Sequence, residues 1–227
     1  MGWKLSTIII NQTCNDHQQL LTDLGFVNAT PSGSQRFEQV AYPYDNKLYI
    51  ANYKGNTIIC VDEYPMYLVE KDTTPLADSL QKHFPDAEIA ALVLHSVVNL
   101  WGFSVRSKGK LLRAKGGSSD DGTFIEKGSP LPEEQTLLSS SHLDEDGNRV
   151  YQLNDFPDEL LDESAVGEEF VFSIAKRYLG VALDSDDALF DLDMDGYSIG
   201  KFKRSSGPQN NGRDNGKSDK PWWQFWK

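Results

Sequence analysis

Three aspartates at alternate positions, Asp191, Asp193 and Asp195, followed by Gly196, reproduce the opening half of an EF-hand loop. In such a loop, oxygens at positions 1, 3 and 5 and a glycine at 6 wrap a calcium ion. The second half departs from the pattern: Phe202 stands at position 12, where a bidentate Glu belongs, and Ile199 at position 9. Leu192 and Met194 alternate with the acids, as in an amphipathic strand whose polar face is in water. Asp184, Asp186 and Asp187 add oxygen ligands suited to Mg²⁺ or Mn²⁺, with no histidine nearby and no second distant acid motif. A solvated acidic strand is the leading reading. A divalent-metal-dependent enzyme or calcium-binding protein using Asp184–Asp195 is the alternative.

The second constellation is aromatic. Trp222, Trp223, Phe225 and Trp226 stand between Lys220 and Lys227, behind a stretch from Ser205 to Lys220 with no aliphatic or aromatic residue to anchor it. That arrangement predicts a linker over 204–220 and a contact motif over 221–227. Tryptophan buries much area at little rotamer cost, and the flanking lysines are drawn to acidic surfaces, so a protein partner is expected. Docking of the tail onto its own acidic domain, or at a membrane interface, are the competing expectations.

Weaker signals carry less. Lys108, Lys110, Arg113 and Lys115 before Gly116-Gly117-Ser118-Ser119 suggest a phosphate cradle, but the spacing matches neither a P-loop nor a dinucleotide fingerprint, and Asp120 and Asp121 would repel phosphate. A charge-guarded edge hairpin is the better expectation. His17, His83, His95 and His142 lack metal or triad spacing. Cys14 precedes a helix and Cys60 has no partner, so both read as thiols and not as a disulfide or metal framework.

Charge separates the chain into unlike parts. Residues 144–195 hold 16 acids against Arg149, Lys176 and Arg177, whereas residues 204–227 hold five bases against two acids. A formal net charge of -12 speaks against nucleic-acid binding. No apolar run reaches the roughly 18–20 residues of a membrane span, and the first residues lack a secretory signal pattern, so a cytoplasmic protein is expected. At 227 residues with 39% hydrophobic content, one sizeable core is affordable.

The elements that must position these residues follow from periodicity and turn chemistry. Residues 3–10 predict a strand buried on both faces, and Asn15 caps a short helix with Leu20, Leu21 and Leu24 inside and Gly25 as its stop. Residues 29–34 predict a loop. Residues 47–53 and 57–61 form a hairpin, Thr74-Pro75 opens a helix, 88–98 predicts a central strand, and 100–106 with 110–114 form a second hairpin. Residues 116–148 read as irregular connections. Residues 167–180 give the clearest helix, with Glu168 and Glu169 at its start, Lys176 and Arg177 at its end, and Gly180 terminating it. The sum predicts an α+β domain over 1–203 with a mainly antiparallel sheet, followed by a disordered tail.

Met1-Gly2-Trp3-Lys4, Trp101-Gly102-Phe103-Ser104-Val105, Gly109-Lys110-Leu111-Leu112-Arg113, Asp120-Asp121-Gly122 and Gly128-Ser129-Pro130-Leu131-Pro132-Glu133 follow one order of elements. In this the chain resembles a family of uncharacterised, mostly bacterial proteins that begin Met-Gly-x-Lys, over about residues 1–202. The resemblance implies a fold and a bacterial source and transfers no site. The Pro-Trp-Trp-x-x-Trp ending lies outside that family body. The expected function is a non-enzymatic protein-interaction or regulatory module, of an immunity-like kind, that needs no cofactor.

Overall fold

The computed structural model describes residues 2–26, 28–44, 46–153 and 157–200. In chain order these form β1 (Lys4–Ile10), α1 (His17–Asp23), β2 (Thr30–Arg36), α2 (Phe37–Val40), β3 (Lys47–Tyr53), β4 (Asn56–Val61), α3 (Tyr64–Glu70), α4 (Pro75–His83) and β5 (Glu88–His95). Then follow β6 (Leu100–Ser107), β7 (Lys110–Ser118), β8 (Gly122–Gly128), α5 (Gln135–Ser139), β9 (Ser141–Leu143), β10 (Arg149–Tyr151), β11 (Leu161–Asp162), α6 (Gly167–Leu179), α7 (Asp187–Phe190) and β12 (Asp193–Ser198).

Nine strands make one antiparallel sheet in the order β2-β12-β3-β4-β1-β5-β6-β7-β8. β1 lies at its centre, and its Ile8, Ile9 and Ile10 are all buried because both faces are covered. Ile8 and Ile10 pack with Leu20 and Leu21 of α1, Leu24 just after it, Leu68 of α3 and Leu80 of α4. Leu5 and Ile9 pack on the other side with Phe170, Ile174 and Tyr178 of α6 and Leu189 of α7. The fold is therefore α+β, with a large antiparallel sheet between two layers of helices.

Turn chemistry set both expected hairpins: Lys54 (φ 46°) with Gly55 (φ 81°) joins β3 to β4, and Lys108 (φ 49°) with Gly109 (φ 74°) joins β6 to β7. α6 begins and ends as its sequence predicts, with Gly180 left-handed at φ 80°. Four local expectations need correction. The cap of α1 is Asp16, whose carboxylate accepts from the Gln19 amide at 2.9 Å, in place of Asn15. Residues 30–36 are a strand, held by pairing with β12 although all seven are exposed. A helix over Tyr64–Glu70 was not anticipated. Residues 116–148 include the end of β7, all of β8, α5 and β9, and not only irregular connections.

No helix among the described residues is long and apolar enough to cross a membrane.

Candidate functional site

β9, β10 and β11 form a second, three-stranded sheet in the order β11-β10-β9, inserted between β8 and α6. Register places Tyr151 opposite Leu161 and Ser141 on one face, and Val150 opposite His142 and Asp162 on the other. Tyr151 is fully buried and belongs to the α6-side core, so the first face turns inward. The small sheet thus forms a flap on the domain.

The flap is pinned by charges that the fold buries. On β7, Ala114 belongs to the core against α3 and α4, so strand alternation turns Arg113 and Lys115 to the opposite face, towards α6. Arg113 is 1% exposed and grips the fully buried Glu134 through Nε at 3.0 Å and Nη2 at 2.8 Å. Its Nη2 also reaches Glu126 at 3.0 Å, and its Nη1 donates to the Gly128 carbonyl at 3.1 Å. Lys115, 2% exposed, pairs with Glu163 just after β11, and Glu126 stands 3.8 Å from its ammonium. The ammonium also lies 4.7 Å from the centroid of Phe170. Glu163 accepts from the Tyr151 hydroxyl at 3.0 Å and the Thr123 hydroxyl at 2.9 Å. Phe170 stacks on Trp101 with centroids 5.6 Å apart and meets Tyr151 edge-on at 6.0 Å.

Electrostatics agree with this wiring. Burial works to lower the Arg113 pKa, but Glu134 and Glu126 outweigh it and hold the guanidinium above its ordinary value. Burial works to raise the Glu126 pKa, and Arg113 and Lys115 outweigh it in the other direction. Burial, then the Glu163 carboxylate, pushes the Tyr151 phenol up. Each ionised group already faces an opposite charge. The cluster therefore fixes position, joining β7, β8, the turn at Glu134, the flap and α6 into one bonded unit.

Outside this latch the flap is acidic and partly apolar. Leu143 and Leu160 are each 60% exposed, at opposite ends of the three-stranded sheet. Glu145, Asp146, Asp158, Glu159 and Asp162 are exposed around them. Residues 141–165 contain eight acids and a single Arg or Lys, Arg149, whose Nη1 donates to Ser141 at 2.7 Å.

The aspartates singled out for metal lie on β12, beside the edge strand β2, and in the segment that leads into it. Asp191 is exposed and 2.8 Å from Arg36, and Asp195 is exposed and 3.0 Å from Nδ1 of His17. Asp193 is exposed on β12, while Met194 between them is buried, 3.9 Å from the Cys60 sulfur. Asp186 is buried against Lys54 at 3.0 Å and the Tyr53 hydroxyl at 2.8 Å, whereas Asp184 and Asp187 face solvent. Among the described residues no group of three or more His, Cys, Asp and Glu is arranged to hold a metal.

The suggested phosphate cradle is absent as such, because Arg113 and Lys115 turn inward to carboxylates and Gly116 packs against Trp101 and Gly102 backbone atoms. The Cys14 thiol donates to the Asp16 carbonyl at 3.5 Å, and burial pushes the Cys60 thiol up to about 12. Trp222, Trp223, Phe225 and Trp226 lie outside the described residues.

Sequence reasoning did not anticipate Glu126, Glu134, Tyr151 and Glu163 as partners. The available signal was Arg113-Ala114-Lys115, two cations on one face of a strand whose intervening residue is apolar.

The model of a family of unknown function, DUF6928, matches residues 18–190. No curated protein and no solved structure matches the chain.

Proposed function

From the premise that this chain belongs to the DUF6928 family, whose function is unknown, we propose that it is a cytoplasmic bacterial interaction module that binds a protein partner through Trp222, Trp223, Phe225 and Trp226. One observation carries the reading. Trp101 is 1% exposed, and Trp3 packs on Phe172 and Phe190 at 5.4 and 5.7 Å, so these two serve the core. Both faces of the sheet are covered by residues between Leu5 and Ile199. The three remaining tryptophans fall within the last six residues. A basic aromatic segment carried by an acidic domain has the composition of an interface anchor.

The test uses the full chain. Affinity-tagged protein and a variant with all four tail aromatics changed to alanine are compared for retained proteins at equal melting temperature. The partner is then purified and titrated against both. The reading expects at least roughly tenfold weaker binding by the variant, as for the loss of a hot-spot cluster. Identical retention by the two proteins would end it.

A further inference from the structure

We propose that the outer face of the flap is the docking site for the chain's own segment 221–227, which occupies it when no partner is bound. The inference rests on the reading of that segment as a contact element. Three observations converge. First, the face presents the side-chain chemistry that such a segment needs. The half-buried Val150 on this face and Leu160, 60% exposed just before β11, supply apolar surface beside the exposed Glu145, Asp146, Asp158, Glu159 and Asp162, while Leu143, also 60% exposed, stands at the opposite corner in register with the inward face. Second, charge is complementary. Residues 201–227 carry seven bases and two acids, with Lys220 and Lys227 bracketing the four aromatics, while the described residues of the flap carry, besides the latch's Glu163, six acids against one arginine.

Third, the chain is long enough. The described residues end at Gly200, just after Ile199, whose amide donates to the Asn46 carbonyl at 2.8 Å. Twenty residues, 201–220, then separate that point from the aromatic segment. Fully extended, they span at most about 70 Å. A folded body of this size has a radius of gyration of roughly 16–17 Å, so every point of its surface is within reach. Tethering adds effective concentration, and the docked segment competes with a partner for the same aromatics.

The latch gives this surface its rigidity. Lys115–Glu163 and the Tyr151 hydroxyl tie β10 and β11 to β7 and α6, so the acid rim is presented on a fixed frame. Fixing the surface in advance lowers the ordering cost of binding.

The test is fluorescence quenching of the full chain by acrylamide. Trp3 and Trp101 pack in the core, so added quenching reports Trp222, Trp223 and Trp226. Docking predicts blue-shifted emission with limited quenching. Asp158→Lys with Glu159→Lys should shift emission to the red and increase quenching at unchanged melting temperature, since both positions are exposed. Adding Lys220→Glu and Lys227→Glu to that variant should restore protection. Tail tryptophans freely quenched in the unmodified chain, or protection untouched by the flap substitutions, would overturn the proposal. Protection that vanishes on dilution as a dimer dissociates would also overturn it, by assigning the site to a second copy. A failure here leaves the partner reading to its own test. If both hold, the Asp158→Lys, Glu159→Lys chain binds the purified partner more tightly, because its tail is released.

Discussion

Gly167 lies so close to the indole of Trp101 that a Cβ built on it would stand 2.2 Å from Cγ and Cδ1. The first residue of α6 is thus a contact surface, on which the helix meets β6. Replacing glycine by alanine where the backbone allows it ordinarily stabilises a protein by about 0.4–1 kcal/mol. Here Trp101 is held by its stack on Phe170 and has no room to retreat. Gly167→Ala should instead cost about 1–3 kcal/mol. Urea denaturation checks this, and a midpoint that is unchanged or raised would show that the indole can move.

The buried pair beneath the flap should respond unequally to loss of its two members. Without Arg113, the fully buried Glu134 keeps, among the described residues, the Leu131 amide at 2.7 Å as its hydrogen-bond donor. Without Glu134, Arg113 still holds the half-exposed Glu126 and the Gly128 carbonyl. Arg113→Met should cost about 3–5 kcal/mol, Glu134→Met less, and Arg113→Met with Glu134→Met less than Arg113→Met alone. Chemical denaturation of the three variants as a cycle measures the coupling. A double variant as unstable as the sum of the singles would show that the pair is not coupled.

At the opposite end of α6, Glu88 ties the helix to the start of β5. It accepts from Nε of Arg177 at 2.6 Å and from the Tyr178 hydroxyl at 2.7 Å. Burial works to raise its pKa, but Arg177 and Tyr178 outweigh burial and hold it below the ordinary 4.5. A carboxyl with a depressed folded-state pKa stabilises fully above its unfolded value and loses that contribution as pH falls through the folded one. Glu88→Gln should therefore lower stability at pH 7 by about 1–3 kcal/mol, with the gap to the parent closing below about pH 4. Melting curves at stepped pH check the sign; a gap that stays constant into acid would assign the loss to packing.

Much of the main sheet was legible because local chemistry and the fold agree there. Lys54-Gly55 and Lys108-Gly109 turn where turn residues were read, and α6 starts and stops at its own charge and glycine signals. β2 was not legible, since Thr30-Pro-Ser-Gly-Ser-Gln-Arg36 has turn composition and no inward face; its strand conformation comes from pairing with β12, distant in sequence. Gly116 and Gly117 likewise read as a break. In the sheet, a Cβ on Gly117 would sit 2.7 Å from the Gly122 carbonyl oxygen, so glycine is what lets β8 close on β7. The latch was hidden for a different reason. Lys115 and Glu163 are 48 positions apart, and in sequence alone each reads as a solvated surface charge.

The aspartates that opened the metal question should bind no divalent cation, and the reason is geometric. In β12, Asp193 and Asp195 are strand residues on one face, about 6.6 Å apart along the chain, whereas calcium needs six to eight oxygens at about 2.3–2.6 Å. Gly196 does not turn the chain as an EF-hand glycine would. It sits where a Cβ would meet the Gly33 carbonyl oxygen at 2.7 Å and the Tyr49 ring at 2.8 Å, so it serves the close approach of β2 and β3 to β12. Asp191 and Asp195 already face Arg36 and His17. Calorimetric titration of the full chain with Ca²⁺, Mg²⁺ and Mn²⁺ at millimolar concentration should show no saturable heat, and Asp193→Ala should change nothing. Saturable binding that Asp193→Ala abolishes would mean that β12 opens to form a loop, and would return the acidic segment to the centre of the function.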